Sequence, residues 1–199
     1  MNTTASRDYP RTLTFNDSTV QVARLTPADG GALGEFVTTL PTHDLLFLRR
    51  DISHPKVIAA WMQAVGEGRI TSLVAREGGT IVGCTAIVSD ALSWSRHVGE
   101  LRVLVSPAWR GRGLGRVLIQ ESFALALALS LDKLTVQMTV DQASAIAVFE
   151  ELGFRAEAVL RDHVKDRDGK TYDLALLSHD VAAVQSRMQA YGVSDALNS

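Results

Sequence analysis

Polar and apolar residues alternate from Arg11 to Phe15 and again from Thr19 to Leu25, around Asn16-Asp17-Ser18. A period of two interrupted by turn-forming residues predicts a strand, a turn and a second strand. Pro27 and Asp29 suit the start of a helix running towards Leu40, although Gly30, Gly31 and Gly34 weaken it, and Pro41 breaks it. A second helix is predicted from Pro55 to Val65, with Ser53 as its N-cap and Gly66 as its stop. Ile70 to Arg76 and Thr80 to Val88 read as strands joined by Gly78-Gly79, a hairpin signal. Gly99 to Val105 is another predicted strand, ended by Pro107. Leu114 to Leu131 has the length and apolar content of a helix, and Leu134 to Val140 reads as a strand. Asp141 is placed to cap a helix reaching Leu152, where Gly153 closes it. Phe154 to Leu160 and Thr171 to Leu177 form a final antiparallel pair around a polar loop with Asp168-Gly169.

This order predicts an α/β domain of the α+β kind: a mixed, mostly antiparallel central sheet of about 6–7 strands flanked by helices. One strand–helix–strand crossover lies in its middle. Residues 1–10 read as a flexible lead-in, 11–180 as the domain, and 181–199 as a tail with a short helix.

Composition narrows the function classes. The 199 residues suit one domain, and a formal net charge of -2 argues against broad attraction to nucleic acid or an anionic membrane. The single cysteine, Cys84, excludes an intrachain disulfide and a thiolate zinc cluster, which fits a reducing cytoplasm. The five histidines lack metal-binding spacing, so no metal is expected. The longest apolar run, Phe123 to Leu131, is roughly half the ~20 residues that span a bilayer. A soluble, cytoplasmic protein is expected.

The chemistry concentrates in Val103-Leu104-Val105-Ser106-Pro107-Ala108-Trp109-Arg110-Gly111-Arg112-Gly113-Leu114-Gly115, between a strand and a helix. Gly111, Gly113 and Gly115 let the backbone approach a ligand closely. Free N–H groups of the first helical turn then point at a phosphate or pyrophosphate, helped by the helix dipole. Arg110, Arg112 and Arg116 add positive charge. A Walker A loop would need Lys then Ser or Thr, but Arg116 and Val117 follow Gly115. A Rossmann fingerprint would need G-x-G-x-x-G, whereas these glycines stand at alternate positions.

The run resembles motif A of the GNAT N-acetyltransferases, V-x-P-x-x-[RQ]-x-x-G-x-[GA], through Val105, Pro107, Arg110, Gly113 and Gly115. Ala145 to Phe154 is similar to that family's motif B, and the resemblance covers roughly Leu13 to Ser178. It implies a GNAT fold with a splayed strand pair at an acetyl-CoA site. The amides from Arg110 through Gly111, Arg112, Gly113 and Leu114 to Gly115 would hold the coenzyme A pyrophosphate, with Arg116 beside them. Val103, Leu104 and Val105 would pair with the pantetheine arm. Gln142, at the position of a customary Asn, would also touch that arm. Acetyl-CoA is then the acyl donor, transferring acetyl directly to an amine of a small molecule or peptide in a ternary complex. A homodimer is also implied, since many relatives pair through their C-terminal strands.

This chain departs from the family at Phe149, where a tyrosine customarily protonates the departing thiolate. A thiol has a pKa near ~8.5, so a thiolate leaves tolerably without an acid, and Ser144 or water offers a substitute. Glu100 opens the strand next to the thioester and is the candidate base, with ion pairing to Arg102 as its competing role. His163, with Asp162, is placed in the loop between the last two strands, where relatives contact acceptors. The helical segment His43 to Asp51 is expected to shape the acceptor site, with a Leu/Phe face buried. An acyl-CoA-binding module with little turnover is the alternative reading that Phe149 supports.

Overall fold

The computed structural model describes residues 7–15 and 18–182. The chain runs through β1 (Arg11–Phe15), β2 (Ser18–Arg24), α1 (Gly30–Thr38), α2 (Pro55–Gly66), β3 (Ile70–Glu77), β4 (Thr80–Val88) and β5 (Val98–Val105). It continues with α3 (Leu114–Ala128), β6 (Lys133–Thr139), α4 (Ala143–Glu151), β7 (Arg155–Lys165) and β8 (Thr171–Asp180). One sheet of eight strands results, in the order β1-β2-β3-β4-β5-β6-β8-β7. The count exceeds the expected 6–7 because the first hairpin joins the sheet, with β2 pairing to β3 over Gln21–Arg24. All neighbours are antiparallel except β5 and β6, which the crossover through α3 makes parallel.

Alternation within the strands sorts side chains onto two faces. Leu73 and Ala75 join a core with Leu114, Leu118, Ile119, Leu125 and Ala126 of α3, a stripe at helical spacing. Val74, between them, joins the other core, with Leu33, Phe36 and Val37 of α1 and Ile58 and Met62 of α2. β3 and β4 are buried on both faces, which is why they read as continuous apolar runs.

Several local expectations are corrected. Ser53 is not the cap of α2: the His54 ring nitrogen accepts from the Lys56 amide at 3.2 Å, while the Ser53 hydroxyl turns to Asp51. Asp141 does not cap α4 either; Gln142 holds that position without a side-chain bond, because Asp141 is drawn to His43. The segment after Pro41 forms only a short 3₁₀ turn over Thr42–Leu45, though Leu45 and Phe47 are buried as expected. β7 extends to Lys165 through a register break between Leu160 and Val164, so His163 lies in a strand rather than a loop. Arg7 and Tyr9, within the stretch read as a lead-in, reach the buried Glu121 of α3. Its carboxylate accepts from Arg7 (2.7 Å), Tyr9 (2.9 Å) and Arg11 (2.5 Å). The expected tail helix at 181–199 lies outside the described residues beyond 182.

Candidate active site

β5 and β6 pair only at Val98↔Lys133, Gly99↔Leu134 and Glu100↔Thr135. Beyond Glu100 they part: β5 continues to Val105 held by β4 alone, and β6 continues to Thr139 held by β8 alone. The edge of β5 from Leu101 to Val105 that faces β6 therefore has no ladder partner among the described residues. Val103, Leu104 and Val105, expected to meet a pantetheine arm, all lie on this stretch.

The turn after β5 is pinned from below. Trp109 is buried, donates its indole N–H to Glu77 at 3.2 Å, and meets the Phe15 ring edge-on at 5.6 Å. Beyond it, Gly111 and Gly113 take φ of +69° and +89°, a conformation that side chains rarely adopt. Nothing lies within 4 Å of where a Cβ would sit at either. Gly113 is the N-cap of α3 and supplies no side chain, so the amides of Leu114, Gly115 and Arg116 start the helix uncapped. Open space beside the backbone and uncapped amides fit a pyrophosphate. The arginines are engaged elsewhere: Arg110 with Asp44, Arg112 with Ser18 at 2.9 Å and over the Trp109 ring at 4.0 Å, Arg116 with Glu151.

Glu100 sits where the strands part. It accepts from Arg102 Nε at 2.7 Å, and Arg49 stands 3.8 Å away. Phe149 is buried edge-on against Phe154 at 5.0 Å, and Ser144 is exposed on α4. Gln142 is half-buried at the start of that helix.

A pocket of about 550 Å³ opens beside the parted strands. Leu45, Phe47, Arg49 and Asp51 line it from the segment between α1 and α2, Gln137 from β6, and His163, Lys165, Arg167 and Leu174 from the last hairpin. His163 is thus brought to the site, while Glu100 is joined to it through Arg49. The α1–α2 segment is fastened by His43, whose Nε2 is 3.1 Å from Asp141 and whose ring meets Tyr172 at 4.9 Å. Burial alone would raise the Asp141 carboxyl, but the Thr139 hydrogen bond and His43 hold it below the usual carboxylate range. Gln137 escaped sequence reasoning, and so did the pairings of His43 with Asp141 and Asp44 with Arg110, because those partners lie far along the chain. No group of three or more potential metal ligands gathers among the described residues. No helix among them is long and apolar enough to cross a membrane.

The acetyltransferase (GNAT) family model matches residues 39–154. The chain belongs to that family. It is 37% identical over 94 residues to the IAA acetyltransferase of Azospirillum brasilense, a match covering 47% of this chain and 60% of that protein. It is 29% identical over 105 residues to the L-amino acid N-acetyltransferase AaaT of Escherichia coli (strain K12), covering 52% and 64%. The matches thus span less than two thirds of these curated relatives' lengths. Among solved structures, a GNAT-family acetyltransferase from Streptococcus pneumoniae superposes with a TM-score of 0.68 at 20% identity, over 81% of this chain and 99% of that one. The yncA protein of Salmonella typhimurium, solved with its cofactor acetyl-CoA, gives 0.69 at 22% identity, over 81% and 94%. These likenesses show the GNAT fold. Within the family match fall the glycine turn, α4 and the α1–α2 segment; the last hairpin lies beyond it.

Proposed function

We propose that this protein transfers an acetyl group from acetyl-CoA to an amine of a small molecule or peptide, both substrates being bound together. The observation that carries this is the parting of β5 from β6 after Glu100, immediately before the uncapped glycine turn. In that arrangement the amides from Arg110 to Gly115 hold the pyrophosphate, and the free edge of β5 at 103–105 pairs with the pantetheine arm. An N–H of the same edge polarises the acetyl carbonyl. Gln142 and Phe149, on the neighbouring helix, flank the arm. The thioester supplies an activated acyl group; the protein's part is to align an amine against it and exclude water.

Proton handling is spare. Phe149 has no proton to donate, so the thiolate leaves unaided or with help from water or Ser144. Glu100, at the parting, takes the amine's proton through water once Arg49 swings aside, and His163 serves acceptors that reach the pocket's far wall. The same Phe149 favours a second reading, an acyl-CoA-binding module with little turnover. A homodimer is proposed too, since β7 forms a sheet edge of 11 mostly exposed residues; sedimentation velocity tests it.

Thermal unfolding with acetyl-CoA, CoA, NAD and ATP tests the cofactor assignment. Saturation at 100 times the dissociation constant should stabilise by about 2.7 kcal/mol with the two CoA species alone. A shift with NAD or ATP instead sinks it. CoA release with a panel of amines then separates enzyme from binding module.

A further inference from the structure

We propose that the pocket beside the parted strands reads an acidic group, so that the preferred acceptors are amines that also carry a carboxylate, held by Lys165 and Arg49. This rests on the acetyl-transfer reading above and adds the substrate class to it.

The pocket's charge is one-sided. Arg49, Lys165 and Arg167 line it as cations, against Asp51 as the single carboxylate. Asp51 is already satisfied, accepting from Arg167 at 2.6 Å and from the Ser53 hydroxyl at 2.5 Å. Those bonds, Ser53 first and then Arg167, hold its carboxyl down at about 2. Arg49 keeps only a long ion pair, 3.8 Å from Glu100, whose short bond comes from Arg102. Lys165 makes no ion pair among the described residues. Lys165 of β7 is therefore available to an anion, and Arg49 of the α1–α2 segment is held only by its long pair with Glu100.

Leu45, Phe47 and Leu174 line the same pocket and are buried in one core, an apolar part of its wall. That combination suits a small zwitterion with an apolar side chain: the carboxylate at Lys165 and Arg49, the side chain on the apolar part, the amine towards Gln137 and the parted strands. A polyamine would set its second cation against the same pair, and like charges select against it. The carboxylate takes no part in the bond changes. The amine nitrogen forms a bond to the acetyl carbon, the carbon–sulfur bond breaks, CoA departs as thiolate, and the amine's proton passes through water to Glu100. Lys165, Arg167 and Leu174 lie beyond residue 154, where the family match ends, so this wall is built from a part of the chain outside the shared segment.

Steady-state CoA release decides it, using L-leucine, L-leucinamide, isoamylamine and spermidine as matched acceptors. A charged hydrogen bond contributes ~1.5–3 kcal/mol, so kcat/KM for the acid should exceed that for the amide by roughly 10- to 100-fold. Lys165→Met should cut this acid-over-amide ratio about tenfold through KM, Lys165→Arg should restore most of it, and added salt should shrink it. Equal turnover of acid and amide, preference for spermidine, or an unchanged ratio in Lys165→Met overturns the proposal while acetyl transfer stands. Binding of acetyl-CoA without transfer to any amine overturns the acetyl-transfer reading and this inference with it.

Discussion

The glycine turn and the pocket that we propose for the acceptor both adjoin the parting of β5 and β6, yet they are made in different ways. The turn is a dozen consecutive residues whose work is done by backbone: two positive-φ glycines, an uncapped helix start and a buried tryptophan underneath. The pocket is assembled from four separate stretches, and its character lies in side chains, exposed charged ones such as Arg49, Asp51, Lys165 and Arg167 beside buried apolar ones such as Leu45, Phe47 and Leu174. On the proposed reading, a backbone cradle meets what every acetyl transfer shares, the pyrophosphate. A side-chain pocket can change with a few substitutions, and we therefore assign acceptor choice to it. Asp44 joins the two, reaching from the pocket's segment to Arg110 of the turn.

The contrast breaks most readily at Gly113. With φ at +89°, Gly113→Val forces a β-branched residue into strain of about 1–3 kcal/mol, or moves the amides. Acetyl-CoA affinity by calorimetry should then fall roughly 10- to 100-fold for the same cost, whatever the acceptor. Unchanged affinity would mean the turn is not the cradle. Gly99 comes next, as a packing rather than a ligand effect. An added Cβ would lie 2.7 Å from Leu131 Cδ1 and 3.0 Å from Ile87 Cγ2, just before the parting. Gly99→Val should lower stability by about 1–3 kcal/mol in urea unfolding, and a neutral result would show that the strands part with room to spare.

A smaller effect tests the link between the regions. Asp44→Asn frees Arg110 from a partly exposed ion pair of about 0.2–1 kcal/mol, so acetyl-CoA should bind up to about fivefold tighter. Weaker binding would show that the pair orders the turn instead. Smallest is the pH effect at Asp51. Its folded carboxyl, at about 2, lies below the ordinary 3.8, so its contribution is present above about pH 4 and lost as pH falls towards 2. The difference in Tm between Asp51→Asn and the parent should close across that window. A difference that persists at pH 2 would place the effect elsewhere.

Much of the fold was legible because it follows from local rules. Gly78-Gly79 marked the β3–β4 hairpin, and both glycines take positive φ there. The run from Val103 to Gly115 announced a strand, a turn and a helix in one reading. Where the expected helix caps failed, another partner had taken the capping group. Asp141 is a good N-cap by type, but His43, 98 residues away, holds it. Ser53 gives its hydroxyl to Asp51 rather than to α2, beside the Arg167 that binds both. His163 looked like a loop residue because a register break with Asp162 at φ +47° breaks the alternation that would have marked a strand.

By itself the sequence determined the element order, the crossover through α3 and the glycine turn that opens it, since periodicity, turn residues and first-turn amides act within a few residues of one another. Tertiary structure alone decided where β5 and β6 part, which arginines are already paired, and which cations face the acceptor pocket. Those depend on which strand lies beside which and on charges brought together from positions 49 to 167, and such distances are created only when the sheet closes.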